Sequence, residues 1–379
     1  MRNSRRGDVD PFIVMDVMQA AERAEAAGRH IIHMEVGQPG TPAPAGARAA
    51  VARAIESGAL GYTTALGLPA LRARIARHYS DRHGVEIDSG RIIVTAGSSA
   101  AFLLAFTALF DAGEKVGLGL PGYPSYRHIL KGLSLEPVGI ETRAEDRYQP
   151  VPELLPEGLA GLIVASPANP SGTMLDVGAL SALIRWAEAN GTAFISDEIY
   201  HGIDYGFRPV SALEISDDAW VVNSFSKYWS MTGWRLGWLV VPEAQVRQVE
   251  RLAQNFFICA PHVSQVAALA AMDCDEELQR NVATYAANRE LLLRRLPEMG
   301  ISRIAPPDGA FYIYADVSGF TSDSRAMSAD ILERAGVAVT PGLDFDPGRG
   351  ARFLRFSYAA GAADLAEGMD RLEAYLRKG

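Results

Sequence analysis

The sequence predicts an α/β protein: a large unit on a mostly parallel mixed sheet covered by helices, and a smaller α+β unit beside it. Three observations predict this. Between residues 91 and 241, short apolar runs alternate with helical stretches. Several of those runs are apolar throughout, the pattern of strands buried on both faces. Beyond Glu243 the pattern turns mainly helical and then mixed. No long linker or internal repeat interrupts the 379 residues, so closely joined units are expected. The larger unit is expected over residues 45–265, and the smaller over 1–44 together with 266–379.

Asp10-Pro11 reads as an N-cap and first-turn proline, opening a helix that Gly28 ends. Residues 31–36 read as a short strand running into Gly37-Gln-Pro39. The Pro/Gly-rich crossing at 40–46 marks the unit boundary and leads into a helix ending near Gly58. Residues 61–67 are a loop, and 68–82 return to helical spacing. Strands are then expected at 92–95, 115–120, 136–140, 162–165, 193–196, 220–223 and 236–241, with a buried helix at 100–110 and another at 177–190. Helices dominate 243–299. Residues 311–315, 337–340 and 353–356 read as strands, and 363–377 as a closing amphipathic helix. In sheets of this kind ligands sit beyond the carboxyl ends of the strands, which is where chemistry is sought.

Composition removes several classes of function. The chain is 48% hydrophobic and 21% charged, and 36 basic against 45 acidic residues leave a formal charge of −9. That balance argues against a nucleic-acid binder held by phosphate contacts. Two cysteines make neither a disulfide framework nor a zinc pattern, the seven histidines include no H-E-x-x-H, and no metal is expected. The longest apolar run, 100–110, is too short for a bilayer, and no signal-type apolar core follows the charged start; a cytoplasmic protein is expected.

The richest stretch is Asn223-Ser-Phe-Ser-Lys227-Tyr-Trp-Ser-Met-Thr-Gly233-Trp-Arg235-Leu-Gly237, set between two apolar strands. A lysine buried there loses proton affinity and becomes a usable amine nucleophile for an aldehyde. Ser224, Ser226 and Arg235 are suited to an anion such as phosphate. The plain counterpart is a surface loop with a routine Lys and Arg. Two other motifs fit less well. Ser224-x-x-Lys227 matches a serine acyl-enzyme pattern, but its companion S-D-N and K-T-G elements are missing. Gly117-x-Gly119-x-x-Gly122 matches a dinucleotide fingerprint, yet its first glycines fall inside an apolar strand and Pro121 interrupts the turn.

Other strand ends carry compatible groups. Gly97-Ser98-Ser99 follows a strand and opens a helix, offering free N–H groups, a positive helix end and two hydroxyls to a phosphate, or simply a serine N-cap. Tyr123, in a Pro/Gly turn, is either a stacking face for a planar ring or plain packing. Asn169 lies between Pro167 and Pro170 in a stiff loop and is able to donate to a ligand oxygen. Asp197 ends a strand and would keep a pyridine nitrogen protonated, with Tyr200 three residues on as a hydrogen-bond donor; an acidic helix start is the ordinary alternative. Arg355 sits inside an apolar strand, where either an internal acid or a substrate carboxylate would pair with it.

Together these residues resemble the pyridoxal-phosphate enzymes of fold type I, specifically the class I/II aminotransferases of the aspartate aminotransferase family. The resemblance runs from Gly37-Gln-Pro39 to Arg355 and is carried by Ser224-x-x-Lys227 with Gly233-x-Arg235-x-Gly237, Asn169-Pro-x-Gly172 and Asp197-x-x-Tyr200. It implies pyridoxal 5'-phosphate on Lys227 as a Schiff base, with Lys227 also moving the proton and a pyridoxamine phosphate form between half-reactions. It implies Asp197 on the ring nitrogen, Asn169 and Tyr200 on the ring oxygen, Tyr123 against the ring, and Gly97, Ser98, Ser99, Ser224 and Arg235 around the phosphate. Arg355, with Gly37 and Asn169 nearby, would take the substrate α-carboxylate. Tyr62 matches a tyrosine that reaches a neighbour's phosphate, implying a homodimer with shared sites.

The function expected is transfer of an amino group from an L-amino acid to a 2-oxo acid. Two other readings use the same residues: a carbon–sulfur β-lyase on this fold, and a non-catalytic sensor of cofactor or amino acid. Few residues precede Gly37 for the DNA-binding module such sensors append. Acyl-CoA-using synthases of the fold fit poorly because no histidine precedes Lys227 at Phe225 or Ser226. Phe12, Ile13 and Met15 lean towards an apolar or aromatic substrate side chain, and no arginine for a second carboxylate is identifiable.

Overall fold

Apolar runs read from the sequence as strands pair into three sheets in the computed structural model, which describes residues 4–58 and 60–377. The charged start at Met1, Arg2 and Asn3 lies outside the described residues. The chain begins with α1 (Ile13–Ala26), β1 (Ile32–His33), α2 (Ala45–Ser57) and α3 (Pro69–His83). Next come β2 (Ile92–Thr95), α4 (Ser98–Leu109), β3 (Lys115–Leu120), α5 (Pro124–Gly132) and β4 (Glu136–Glu141). They are followed by β5 (Gly161–Ala165), α6 (Val177–Ala189), β6 (Ala193–Asp197), β7 (Trp220–Ser224) and β8 (Gly237–Val240). Three helices succeed them: α7 (Val246–Phe257), α8 (His262–Ala271) and α9 (Asp275–Glu298). The remainder is β9 (Tyr312–Asp316), α10 (Ser324–Ala335), β10 (Val337–Ala338), β11 (Thr340–Pro341), β12 (Phe353–Ser357) and α11 (Ala362–Leu376).

The large sheet has seven strands in the order β2-β8-β7-β6-β5-β3-β4. Every pairing is parallel except those of β8, which runs antiparallel to both β2 and β7. Its strands are fully buried where two faces of helices cover them, as in β2, β7 and β8. The orientation of β8 has a consequence for the site. Gly237, at its amino end, lies opposite Ser224 and Thr95 at the carboxyl ends of β7 and β2. The start of β8 therefore shares an edge with the ends of the parallel strands. A second, antiparallel sheet has the order β11-β12-β9, with Arg355 in its central strand opposite Thr340 and Tyr314. Residue 265, the expected end of the larger unit, falls inside α8, which packs on α2 and α3.

Several expected elements shift, each for a physical reason. Asp10 does not cap α1; it pairs with Lys131 at 2.9 Å, and the helix begins at Ile13 with Phe12 as an N-cap that makes no side-chain bond. The free N–H groups of Ile13 and Val14 instead donate to the two carboxylate oxygens of Asp344, each at 3.1 Å. The strand expected at 31–36 shrinks to two residues because only β10 is alongside to pair with it. Helix α4 starts at Ser98, earlier than expected, since Gly97 at φ +82° turns the chain directly out of β2. Helix α5 was masked by prolines read as a loop: Pro124 stands in its first turn, where a missing N–H costs nothing. Helix α10 carried no sequence expectation. The run at 337–340 splits between two sheets, β10 pairing with β1 and β11 with β12.

Because Asp344 is a cap supplied from a distant turn, its loss should loosen one helix end without unfolding the protein. Asp344→Ala is expected to lower stability by about 1–2 kcal/mol, the usual range for a lost N-cap. Hydrogen exchange should rise first at the amides of Ile13 and Val14. Unchanged protection there would contradict this role.

Candidate active site

The edge shared by the ends of β2, β3, β5, β6 and β7 and the start of β8 opens into a cavity of about 220 Å³. Nine of the residues picked from sequence line it: Gly37, Ser98, Ser99, Tyr123, Asn169, Tyr200, Lys227, Arg235 and Arg355. Parallel strands deliver each of these groups from the loop after a strand. Arg235 arrives from the opposite direction through β8, and Arg355 from the second sheet.

Lys227 is mostly buried, and its ammonium donates to the carbonyl of Gly37 at 2.5 Å. Its pKa falls from the ordinary lysine value to about 8, first through desolvation and then through the positive charges of Arg355 and Arg235, with Asp197 pulling the other way. Asp197 is buried behind the cavity lining. It accepts from the phenol of Tyr126 and, at 3.1 Å, from the N–H of Ile199, in a side-chain turn rather than at a helix start. Burial pushes its pKa up to about 6; the bonds from Tyr126 and Ile199 and the charge of Lys227 oppose that rise. Above about pH 6 this carboxyl is therefore an anion in a dry setting.

Arg355 is buried and carries no internal acid as partner among the described residues. It donates to Asn169 Oδ1 at 2.9 Å, to the carbonyl of Glu35 and to Thr340 Oγ1 at 3.2 Å, all neutral acceptors. Its Nε is buried with no partner. The guanidinium lies between the rings of Tyr312, at 4.4 Å, and Phe345, at 4.8 Å. Such a desolvated cation, held flat by aromatic faces, has a carboxylate as its best missing partner. Arg235 is in the left-handed region, at φ +50°, an unusual state for a bulky residue that needs enforcement by its surroundings. Its guanidinium donates to Thr232 O at 3.0 Å, and a side chain at Gly97 would run into it.

Three expected residues sit elsewhere. Ser224 is fully buried and does not face the cavity; its hydroxyl lies 2.8 Å from Ser226 Oγ and 3.1 Å from Leu236 O, with one proton to share between them. Ser226, read from its residue type as suited to an anion but not among the phosphate residues that the resemblance implies, lines the cavity in front of it. Ile13 turns away, lining a groove between α1 and α10, while Phe12, Val14 and Met15 face the cavity. Tyr62 is 82% exposed, beside Pro261 and His262 and away from this cavity. Sequence reasoning missed Tyr126 and Tyr312. Tyr126 stands three residues after Tyr123 on α5, a spacing that only signals once the helix is recognised. Tyr312 had no signal beyond lying in an apolar strand.

Three cations, Lys227, Arg235 and Arg355, thus face one cavity, with no acid among its described lining residues and the buried Asp197 behind it. That excess suits a ligand bearing two separate anionic groups. The residues fit pyridoxal phosphate on these grounds: a desolvated amine, an ionisable acid in a dry floor, and an arginine against a glycine-and-serine helix start.

Residues 29–372 match the family described as Aminotransferase class I and II. The chain is 47% identical to the valine–pyruvate aminotransferase of Mycobacterium tuberculosis, over 99% of this chain and 98% of that one. Its fold superposes on a crystal structure from Silicibacter pomeroyi with a TM-score of 0.96 at 64% identity, covering 100% of both chains. A crystal structure of an aminotransferase from Mycobacterium tuberculosis gives a TM-score of 0.98 at 46% identity, again over 100% of both. Its sequence and fold place the chain in the class I and II aminotransferase family, fold type I enzymes that transfer amino groups with pyridoxal 5'-phosphate.

Proposed function

We propose that this aminotransferase takes its amino group from a neutral L-amino acid with an apolar side chain and passes it to a small 2-oxo acid, working from the cavity around Lys227. The observation that carries the proposal is the composition of that cavity. Its two guanidiniums are committed, Arg235 beside the helix start of Ser98 and Ser99 and Arg355 among neutral acceptors. No third arginine lines it among the described residues, and Phe12, Val14, Met15 and Val36 supply an apolar wall. A substrate bearing a second carboxylate would place that charge against this wall without a partner. The valine–pyruvate relative supports the same class.

When bound, pyridoxal 5'-phosphate supplies an aldehyde for the amino group and a ring that accepts the electrons left at the substrate's α-carbon. The protein's part is then a division of labour. Arg235 with Ser98 and Ser99, and Ser224 through Ser226, would hold the phosphate at the helix start that Gly97 opens. Tyr123 would lie against the ring, Asp197 would keep the ring nitrogen protonated, and Asn169 and Tyr200 would donate to the ring oxygen. Arg355 would grip the α-carboxylate, with Gly37 and Asn169 beside it. Lys227, neutral near pH 8, would carry the α-proton as general base and acid. The apolar wall from α1 limits water at the reacting carbon.

The proposal includes two larger features. One is a homodimer in which Tyr62 reaches the partner's phosphate. Its exposure, together with that of Phe256 and Ile258, supports a surface meant to be covered. The other is a division into units, 45–265 against 1–44 with 266–379, with the boundary moved from 265 to 271 so that the larger unit keeps all of α8; Lys227 on one sheet and Arg355 on another support it. A cytoplasmic setting is supported by two unpaired cysteines. Among the described residues no helix is long and apolar enough to cross a membrane.

Three measurements test this reading. Valine and similar neutral amino acids should exceed aspartate in kcat/KM by roughly 10²-fold, the scale set by an unpaired charge in an apolar pocket; aspartate as the preferred donor would overturn the substrate class. Lys227→Ala should reduce turnover by about 10³-fold or more. In the cofactor-free protein, borohydride trapping of added pyridoxal phosphate should fall on Lys227. Because its pKa is lowered, the neutral amine, and so the yield, should rise with a midpoint near pH 8. A midpoint near that of exposed lysines would contradict the desolvated amine.

A further inference from the structure

Tyr312, which the sequence did not single out, touches three parts of the site: Tyr200, Arg355 and Gly37. Its hydroxyl is 2.7 Å from that of Tyr200, and the two rings meet edge to face at 5.6 Å. The Arg355 guanidinium lies over its ring at 4.4 Å. Its hydroxyl also presses on Gly37, where any Cβ would collide with it, and the carbonyl of Gly37 accepts from Lys227.

A phenol has one proton to donate, so of two paired phenols one donates and the other accepts. We propose that Tyr312 is a positioning residue: its hydroxyl donates to Tyr200, leaving Tyr200's own proton for the cofactor's ring oxygen, while its ring holds Arg355 flat for the carboxylate. The inference rests on the reading that Tyr200 faces that oxygen. The direction follows from the surrounding charges. Both phenols are buried and both feel Arg355, but its guanidinium lies against the Tyr312 ring at 4.4 Å, whereas at Tyr200 the negative Asp197 opposes it; Tyr312 is therefore the better donor. Tyr312 would thus order the proton at one end of the substrate and the charge at the other. A chain of two phenols also polarises cooperatively, strengthening the bond from Tyr200.

Tyr312→Phe removes only the hydroxyl, and Tyr312→Leu removes the ring as well. The readouts are the pH midpoint of the visible absorbance change of the cofactor-loaded protein, the KM for the amino acid, and the dissociation constant of pyridoxal phosphate from the apoprotein. A hydrogen bond to the ring oxygen disfavours its protonation, so weakening that bond raises the midpoint. Tyr312→Phe should raise it by about half a unit, weaken cofactor binding a few-fold and leave KM within about threefold. The effect on the midpoint should vanish in a Tyr200→Phe background. Tyr312→Leu should in addition raise KM by roughly tenfold through loss of the cation–π face.

If Tyr200→Phe moves the midpoint and Tyr312→Phe does not, the relay is wrong while the site reading stands. If neither moves it, the placement of Tyr200 fails, and the relay with it. Because Tyr312→Phe deletes a single buried oxygen, it decides the matter even where Tyr312→Leu does not fold.

Discussion

The site depends on an uncompensated charge. Lys227, Arg235 and Arg355 face one cavity, and the acid behind Lys227, Asp197, is itself pushed towards neutrality by burial. Removing cations from water costs several kcal/mol each unless partners return it. Here the partners are carbonyls, a side-chain amide and aromatic faces, which satisfy geometry without cancelling charge. Burial first, and then the same excess, lowers the proton affinity of Lys227, since each guanidinium disfavours a third positive charge nearby. Affinity for a doubly anionic ligand and a reactive amine are therefore one electrostatic fact.

Assembling that charge requires the topology. A wholly parallel sheet would deliver every strand end to one edge and every strand start to the other. Reversing β8 alone lets residues 233–237 return to the edge that residues 224–227 have just left, so Lys227 and Arg235 meet across one tight loop. The loop needs unusual backbone to do so, with both Ser230 and Arg235 at positive φ. Such conformations persist only where the surroundings enforce them, and here buried strands stand on both sides.

Where the signal was local, the sequence was legible. β2 and β3 matched the expected runs to the residue, and β5, β6 and β7 to within one, because strands buried on both faces must be apolar throughout. Lys227, Asp197, Asn169 and Arg355 were legible because each is a polar residue at the end of, or inside, such a run, where chance rarely leaves one. What escaped was set by distant chain. Nothing near Ile13 announces that its N–H is capped by Asp344, 331 residues on, so the start of α1 was misplaced. The role of Ser226 over Ser224 depends on which hydroxyl the tight loop turns outward, a matter of backbone angle and not of residue type. Tyr312 matters through three neighbours from separate elements, and no local pattern encodes such a meeting.

One turn ties the apolar wall of the cavity to the guanidinium of Arg355. Residues 342–345 open the 342–352 connection from β11 to β12, and adjacent side chains there do different work. Asp344 holds the first amides of α1, placing Val14 and Met15 against the cavity, and Arg127 of α5 donates to its carbonyl at 2.5 Å. Phe345 lies against the Arg355 guanidinium. The apolar wall and the Arg355 guanidinium thus hang from consecutive residues of a single buried turn. A change that shifts this turn must move both at once, so side-chain preference and α-carboxylate affinity are expected to vary together rather than independently. Substitutions confined to Phe12 or Met15, which touch neither Asp344 nor Phe345, are the ones able to retune the side-chain pocket while leaving the grip in place.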